Sequence, residues 1–524
     1  MLDDVIGSYL DELSEREFDA PFMALLRALD FTDIHFLHGS FEFGKDFIAK
    51  QVDNGESCQY AFQTKAGDID GAAWSGCRGQ IDMLRTDSLA HPNFDKDLPR
   101  RAVFVTTGRL VGSAALRAQE YRAHLSNLHE CEFETWDRER LVELLGEHSA
   151  AALALSAAGA FLTLLGRIDE QTITECEVER YTQRWLSGSA AINLNRCALE
   201  AAVIANRLRR TDRLDLAAFI GLALLRASWE RTHGILPPAR LGELTSDCGR
   251  ELFRYYAWRL FDRCSEAFYD PLALLHAHVT VSAYVTYPVR CCRLAETLAL
   301  LALLEQGSKD PRADSLNDFL SSFVDSNPGV VHPISDRWGV SLIFIVLATH
   351  KTGTDRSTRL LKEVAKWVAD RHDANGLGLA DPSASPQDEV DRLLGDPFEH
   401  VKLDPRRESF IAAILLDLAA LLKLGAVFDL VRNEFLAVEL SPSVIEVEET
   451  GAQYQTRNGG QFFTANMEYA EYWAPVDGWK SSPHHHRARS DYYLQRLDKW
   501  WDHLAISAVL RDRYFLETCR HFLT

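Results

Sequence analysis

The sequence predicts an α/β domain followed by a large all-α region and a small mixed segment at the C-terminal end. Three observations predict it. Over residues 1–148, runs of helical period alternate with short extended runs. From about Ala150 onward apolar residues recur almost entirely at helical spacing. Val438–Gln461, with the alternation Ser443-Val444-Ile445-Glu446-Val447, returns to extended character. The expected division is 1–148, 149–435 and 436–524, the last a short hairpin plus helices.

Each element of the first part has a local reason. Glu15–Leu29 places Phe18, Phe22, Leu25, Leu26 and Leu29 on one helical stripe, and Ile34–Leu37 is a short strand. Asp46–Val52 and Cys58–Lys65 are extended runs joined by Asp53-Asn54-Gly55-Glu56, and Asn-Gly between two such runs predicts a hairpin. Ile69–Arg85 reads as a helix with Ile81 and Leu84 on one side, and Ala102–Thr106 as a buried strand. Val111–His124 is Ala-rich and helical, Cys131–Trp136 is a strand, and Asp137 caps a helix running through Leu145. The order is αβββαβαβα.

Beyond it, helices are expected at Asn195–Arg209, Leu214–Trp229, Leu252–Phe268, Leu272–Val285, Cys292–Leu304, Ser315–Val324, Val340–Thr349, Thr358–Arg371 and Glu408–Val431. Asp373–Pro397, rich in Gly, Asp, Pro and Ser, predicts a long loop. No fixed period supports a solenoid.

Composition excludes several classes. In 524 residues, 47% hydrophobic and 25% charged content is that of a globular protein rather than a disordered one. The net charge of −20 argues against a protein that coats polyanions. Residues 1–148 hold 15 basic and 27 acidic residues, a balance of −12. The ten cysteines are scattered without a C-x-x-C pair, so neither a disulfide framework nor a zinc site is signalled. The acidic start MLDDVIGSYLDELSERE resembles no secretory or transit segment. Ser149–Gly166 and Pro271–Val289 lack charges, but polar residues within them favour buried helices over membrane spans. No membrane association and a reduced, cytoplasmic setting are expected. No G-x-x-x-x-G-K-[ST] occurs, which excludes ATP hydrolysis by that route.

The hairpin carries the sharpest chemical signal. Gln63 and Lys65 stand two residues apart on the second strand and share a face, with Tyr60, Phe62 and Thr64 on the other. Folding about Asn54-Gly55 brings Asp46 to them. A carboxylate, an amide oxygen and an ammonium are thereby clustered. Mg²⁺ or Mn²⁺ takes such oxygen ligands, here Asp46 and Gln63, and retains waters. A lysine beside it can orient or help deprotonate water and neutralise developing charge.

These stretches carry a family resemblance. EFDAPFMALLRALDF, GKDFIA, YAFQTK and AVFVTTGRLVGSAALRAQEY resemble, in order, the Mrr-like branch of the PD-(D/E)XK restriction-endonuclease fold. The matching features are Phe18-Asp19, Asp46, Gln63-Thr64-Lys65 and Thr106-Thr107-Gly108. The resemblance covers residues 1–148 only. It implies a restriction-endonuclease-like domain with Asp46, Gln63 and Lys65 as catalytic core and Asp19 as an accessory acid. The family often has Glu where Asp19 stands. The implied activity is metal-dependent hydrolysis of DNA phosphodiester bonds, as the effector of a restriction or antiphage system. The alternatives are a catalytically silent scaffold or DNA-binding protein, and a nuclease acting on RNA.

Expected DNA contacts are Arg78, Gln80 and Arg85 on the helix after the Gln-x-Lys strand, with Trp74 beside them, and Arg109; Arg100, Arg101, Arg117 and Arg122 are further candidates. The helical region adds Arg207-Leu208-Arg209-Arg210, and Lys480, Arg487 and Arg489 near Tyr492 and Tyr493. His276 with His278, and His484–His486, do not form a metal site by spacing. The acidic balance implies weak intrinsic affinity for DNA, supplemented by homo-oligomerisation or a partner such as an ATPase.

Overall fold

A computed structural model describes residues 2–37, 44–53, 55–86, 91–128, 131–148, 158–186, 194–232, 240–267, 283–350, 354–373, 376–380, 388–391, 407–447, 462–466, 500–514 and 516–523. Among these residues no helix is long and apolar enough to cross a membrane. The readings at His276, His278, Lys480, His484–His486, Arg487, Arg489, Tyr492 and Tyr493 lie outside the described residues, as does most of Asp373–Pro397. Contacts divide the chain into two compact units. One is Met1–Glu170 with Ala191–Ile204; the other is Gln171–Ala190 with Ala205–Thr524. The expected segment 436–524 falls within the second.

Two helices, not one, open the first unit. α1 (Leu2–Glu12) buries Val5, Ile6, Tyr9 and Leu10, an i, i+4 pairing within an otherwise acidic stretch, and packs on α5 (Arg138–Glu147). α2 (Glu15–Ala28) starts at Ser14, whose N–H and hydroxyl donate to the Glu17 carboxylate at 3.0 and 2.6 Å. Its first-turn acids Glu15 and Glu17 suit the positive end of the helix dipole. It buries Phe18, Phe22, Leu25 and Leu26, four of the five stripe residues.

The sheet runs in the order β1 (Thr32–Phe36), β2 (Phe47–Asp53), β3 (Glu56–Lys65), β4 (Arg100–Thr106) and β5 (Glu132–Trp136). β1, β2 and β3 pair antiparallel; β3, β4 and β5 pair parallel. The parallel pairs need crossovers, supplied by α3 (Gly71–Leu84) and α4 (Ser113–Leu128). The two faces of β3 have separate cores. Phe62 meets Phe22, Phe31 and Trp136 at ring separations of 5.4, 5.7 and 5.7 Å. Ala61 packs with Phe104, Trp74, Ile81 and Tyr121 beneath α3 and α4. The expected alternation along the hairpin strand is therefore the division between the two helical layers.

The β2–β3 hairpin fixes the register that matters most. Asp53 stands opposite Glu56, which leaves a two-residue turn, and Gly55 has φ 88° as a primed turn requires. Phe47 faces Phe62, so Asp46 comes opposite Gln63.

After α6 (Ala158–Asp169) and α7 (Glu175–Thr182), the helices α8 (Leu194–Arg210, shared between the units), α9 (Leu214–Thr232), α10 (Arg240–Ala267), α11 (Ala283–Leu304), α12 (Arg312–Ser326), α13 (Gly339–His350) and α14 (Thr354–His372) overlap the expected ones. The single helix expected at Glu408–Val431 is two, α15 (Phe410–Leu421) and α16 (Gly425–Ala437). The chain breaks at Lys423, which adopts a left-handed φ of 59°. β7 (Ser441–Val447) and β8 (Phe462–Asn466) pair antiparallel, and β6 (Glu408–Ser409) joins β7 in parallel. α17 (Trp500–Leu510) packs back on α9 and α11. Just beyond it, Arg511 and Arg293 donate to the buried Glu296 carboxylate, and their guanidiniums lie 5.3 and 5.1 Å from the Trp338 ring. Burial pushes the Glu296 carboxyl up, opposed by the Ser341 hydrogen bond and the Arg337 charge, and pushes the Arg511 guanidinium down.

Candidate active site

Asp46 lies one residue before β2, at a bend, yet its backbone still pairs: its N–H donates to Phe62 at 2.8 Å and its carbonyl accepts from Leu37 at 2.8 Å. Two neighbours hold this position. Gly44 has φ 72°, a conformation that favours glycine. Buried Lys45 donates from Nζ to the Met83 carbonyl at 2.6 Å, near the C-terminal end of α3, where a cation is favoured.

Three donors converge on one oxygen of Asp46. Oδ2 accepts from Gln63 Nε2 at 2.6 Å, from the Thr64 N–H at 2.7 Å and from the Thr64 hydroxyl at 2.9 Å. Alternation along β3 did not lead one to expect the Thr64 contact. Asp46 sits past the end of its strand, so its carboxylate reaches over the edge of β3. Burial raises the Asp46 carboxyl above its ordinary range; the Thr64 bonds and the Lys65 charge lower it, and the Glu15 charge raises it.

Gln63 is 1% exposed, and its Oε1 is buried without a hydrogen-bond partner. A buried amide oxygen left unpaired costs free energy, about 1–3 kcal/mol. The strand thus holds an unpaired acceptor oxygen on the side chain that contacts the Asp46 carboxylate. Lys65 Nζ lies 3.1 Å from Glu15 Oε1, so the first residue of α2 meets the end of β3. Glu15 was missed by motif reading, which offered Asp19; Asp19 lies four residues further along α2 and is half-buried. The only sequence signal for Glu15 is its place in the first turn, directly after Ser14.

Thr106-Thr107-Gly108 clamps the loop that follows Lys65. The Thr106 hydroxyl donates to the Gly67 carbonyl at 2.6 Å, and the Thr107 hydroxyl accepts from the Gly67 N–H at 2.9 Å. Gly108 lies so close to the Gly67–Asp68 backbone that a Cβ would overlap it. Asp70 then caps α3, accepting from the Ala72 and Ala73 N–H groups at 2.9 and 2.8 Å.

The expected DNA contacts are largely engaged elsewhere. Arg78 pairs with Asp82 at 3.2 Å and lies 4.2 Å from the Tyr121 ring. Arg109 pairs with Glu139 at 2.6 Å. Arg85, at the end of α3, is half-buried, and its carbonyl accepts from Arg100 at 2.8 Å. Arg101 pairs with Glu132 and Glu134, Arg117 donates to Gly71 and Ser75, and Arg122 donates to the Phe133 carbonyl. Gln80 is exposed on α3. Trp74, read beside it as groove-facing, is instead core: it is 1% exposed and stacks edge-on against Phe104 at 5.5 Å, because α3 turns that face to the sheet.

The pair Asp46 and Gln63 suits a hard cation that keeps most of its waters. Among the described residues no group of three or more His, Cys, Asp or Glu side chains could hold a metal ion. The pair supplies one negative charge and one neutral oxygen. No family model, no curated protein and no solved structure matches this chain.

Proposed function

We propose that the chain is a metal-dependent endonuclease that hydrolyses DNA phosphodiester bonds at the end of the β2–β3 hairpin. One observation carries the reading: the unpartnered buried Oε1 of Gln63 sits on the side chain that contacts Asp46, with Lys65 two residues away. Asp46 Oδ1 and Gln63 Oε1 would hold Mg²⁺ or Mn²⁺. A cation bound there lowers the pKa of water and stabilises charge on a phosphodiester. Asp46 is kept in place by Thr64, which leaves Oδ1 free of that task. Lys65, oriented by one N–H donated to Glu15, keeps two donors for a phosphate oxygen or for the attacking water. The acidic balance of residues 1–148 and the engaged arginines support weak intrinsic DNA affinity, raised by assembly or a partner. A restriction or antiphage role accords with that dependence.

The test is cleavage of plasmid by purified protein with Mg²⁺ or Mn²⁺. Loss of cleavage in Asp46→Ala and in Lys65→Ala is expected; cleavage that survives in both overturns the assignment. The same assay on RNA and single-stranded DNA separates the substrate classes. A second reading, a silent scaffold, draws on the Gln63–Asp46 hydrogen bond, which closes the pair on itself without a cation. Absence of Asp46-dependent metal binding would favour it.

A further inference from the structure

The cluster Arg207-Leu208-Arg209-Arg210 ends α8, and Arg209 there meets a face of α10 in an open groove of about 900 Å³, wholly within the second unit. We propose that this groove binds a nucleotide, with its base on Tyr255 and its phosphate among Arg209, Arg254 and Arg259.

The arrangement along α10 selects this chemistry. Arg254, Tyr255, Trp258 and Arg259 follow at i, i+1, i+4 and i+5, which puts them on one broad face over about one and a half turns. Tyr255 is 43% exposed, an unusual state for a large ring, and is braced edge-on by Tyr256 at 4.9 Å. The Arg259 guanidinium lies 4.6 Å from the Tyr255 ring, and the Arg312 guanidinium 4.2 Å from the Trp258 ring. Such guanidinium–ring layers offer flat surfaces to a base and charged N–H edges to a phosphate.

The charges are held without all being cancelled. Asn206 accepts two bonds from Arg209, at 3.3 and 3.0 Å, which orients that guanidinium and leaves its charge intact. Glu305, 3% exposed, grips Arg254 through two of its five N–H groups and leaves three for a ligand. Arg259 has its Tyr255 stacking and no ion pair among the described residues.

Carboxylates bracket the centre: Glu251 precedes it, and Asp262 and Glu266 follow it. They would repel the flanking phosphates of a long strand, so the groove suits a short ligand. That ligand is either a free nucleotide or the end of a strand.

The experiment uses the full chain and fluorescence anisotropy. Its probes are N-methylanthraniloyl-ATP, a labelled dinucleotide and a labelled twelve-nucleotide strand, with inorganic tripolyphosphate as competitor. Saturable binding of ATP or of the dinucleotide is expected, and whichever binds tighter identifies the source. Arg209→Ala and Arg259→Ala should each weaken it about tenfold or more. Tyr255→Ala should weaken it roughly five- to hundredfold, and Tyr255→Phe should keep it. Tyr255 and Arg259 are exposed, so an unchanged melting temperature is expected and verifies folding. Lys65→Ala should bind as wild type, which separates this result from the fate of the nuclease reading. The proposal is overturned if neither short probe binds. It is also overturned if the Tyr255 and Arg259 variants bind normally, if tripolyphosphate matches ATP, or if the long strand binds far tighter than the dinucleotide.

Discussion

Gln63→Glu puts a second carboxylate where an amide now donates 2.6 Å to Asp46 Oδ2. Two costs arise in metal-free protein. A hydrogen bond to a charged group is lost, about 1.5–3 kcal/mol. Two like charges about 4 Å apart also repel, by about 4 kcal/mol at an effective dielectric of 20. The pair can relieve this by sharing one proton, which lifts one carboxyl well above the ordinary carboxylate range. The sign follows. With its folded pKa above the unfolded one, that carboxyl contributes fully at low pH, and the contribution is lost as pH rises through the raised value. The metal-free variant should therefore melt near wild type at about pH 4. At about pH 8 it should melt roughly 10–25 °C lower, taking 2–4 °C per kcal/mol for a unit of this size. Millimolar Mg²⁺ should restore most of the loss, because the variant offers two charges to the cation. The assay is thermal melting across pH, with and without Mg²⁺. A loss independent of both pH and metal would refute the contact and the cation site together.

Three further outcomes are expected. Burial raises the Asp46 carboxyl, so its stabilising contribution falls as pH rises from the ordinary carboxylate range through the raised value; the melting temperature of metal-free Asp46→Asn relative to wild type should climb across that window, and a flat difference contradicts the assigned burial. Glu15→Gln breaks a largely exposed ion pair, so melting should change by no more than about 1 kcal/mol while cleavage slows about tenfold at unchanged KM; unaltered cleavage would remove Glu15 from the site. Gly108→Ala places a Cβ in the Gly67–Asp68 backbone, and a loss of about 2–4 kcal/mol in chemical denaturation is expected; a neutral result would mean that the loop after Lys65 is not clamped.

The first unit was legible where local rules decide. The Asn54-Gly55 signal and the alternation of Tyr60, Ala61 and Phe62 specify a hairpin register, and that register places Asp46 against Gln63. Asp137 at the start of α5 was readable from its residue type, and the structure shows it accepting from the Arg140 N–H. α1 was not read, because Val5, Ile6, Tyr9 and Leu10 are dispersed among acids and their burial depends on α5, far along the chain. Glu15 was not read because its contact with Lys65 joins residues 50 positions apart. Trp74 was misassigned because residue type does not say which side of α3 faces the sheet. The break at Lys423 interrupts an apolar run without glycine or proline at the left-handed position. The pairing of Arg78 with Asp82 was visible at i, i+4, whereas that of Arg109 with Glu139 required the fold.

Calorimetric titration with Mn²⁺ decides whether Asp46 and Gln63 hold a cation beside Lys65. One Mn²⁺ per chain should bind to wild type and to Lys65→Ala, and binding should vanish in Asp46→Ala. Equal binding by wild type and Asp46→Ala, or no binding by wild type, would contradict that site.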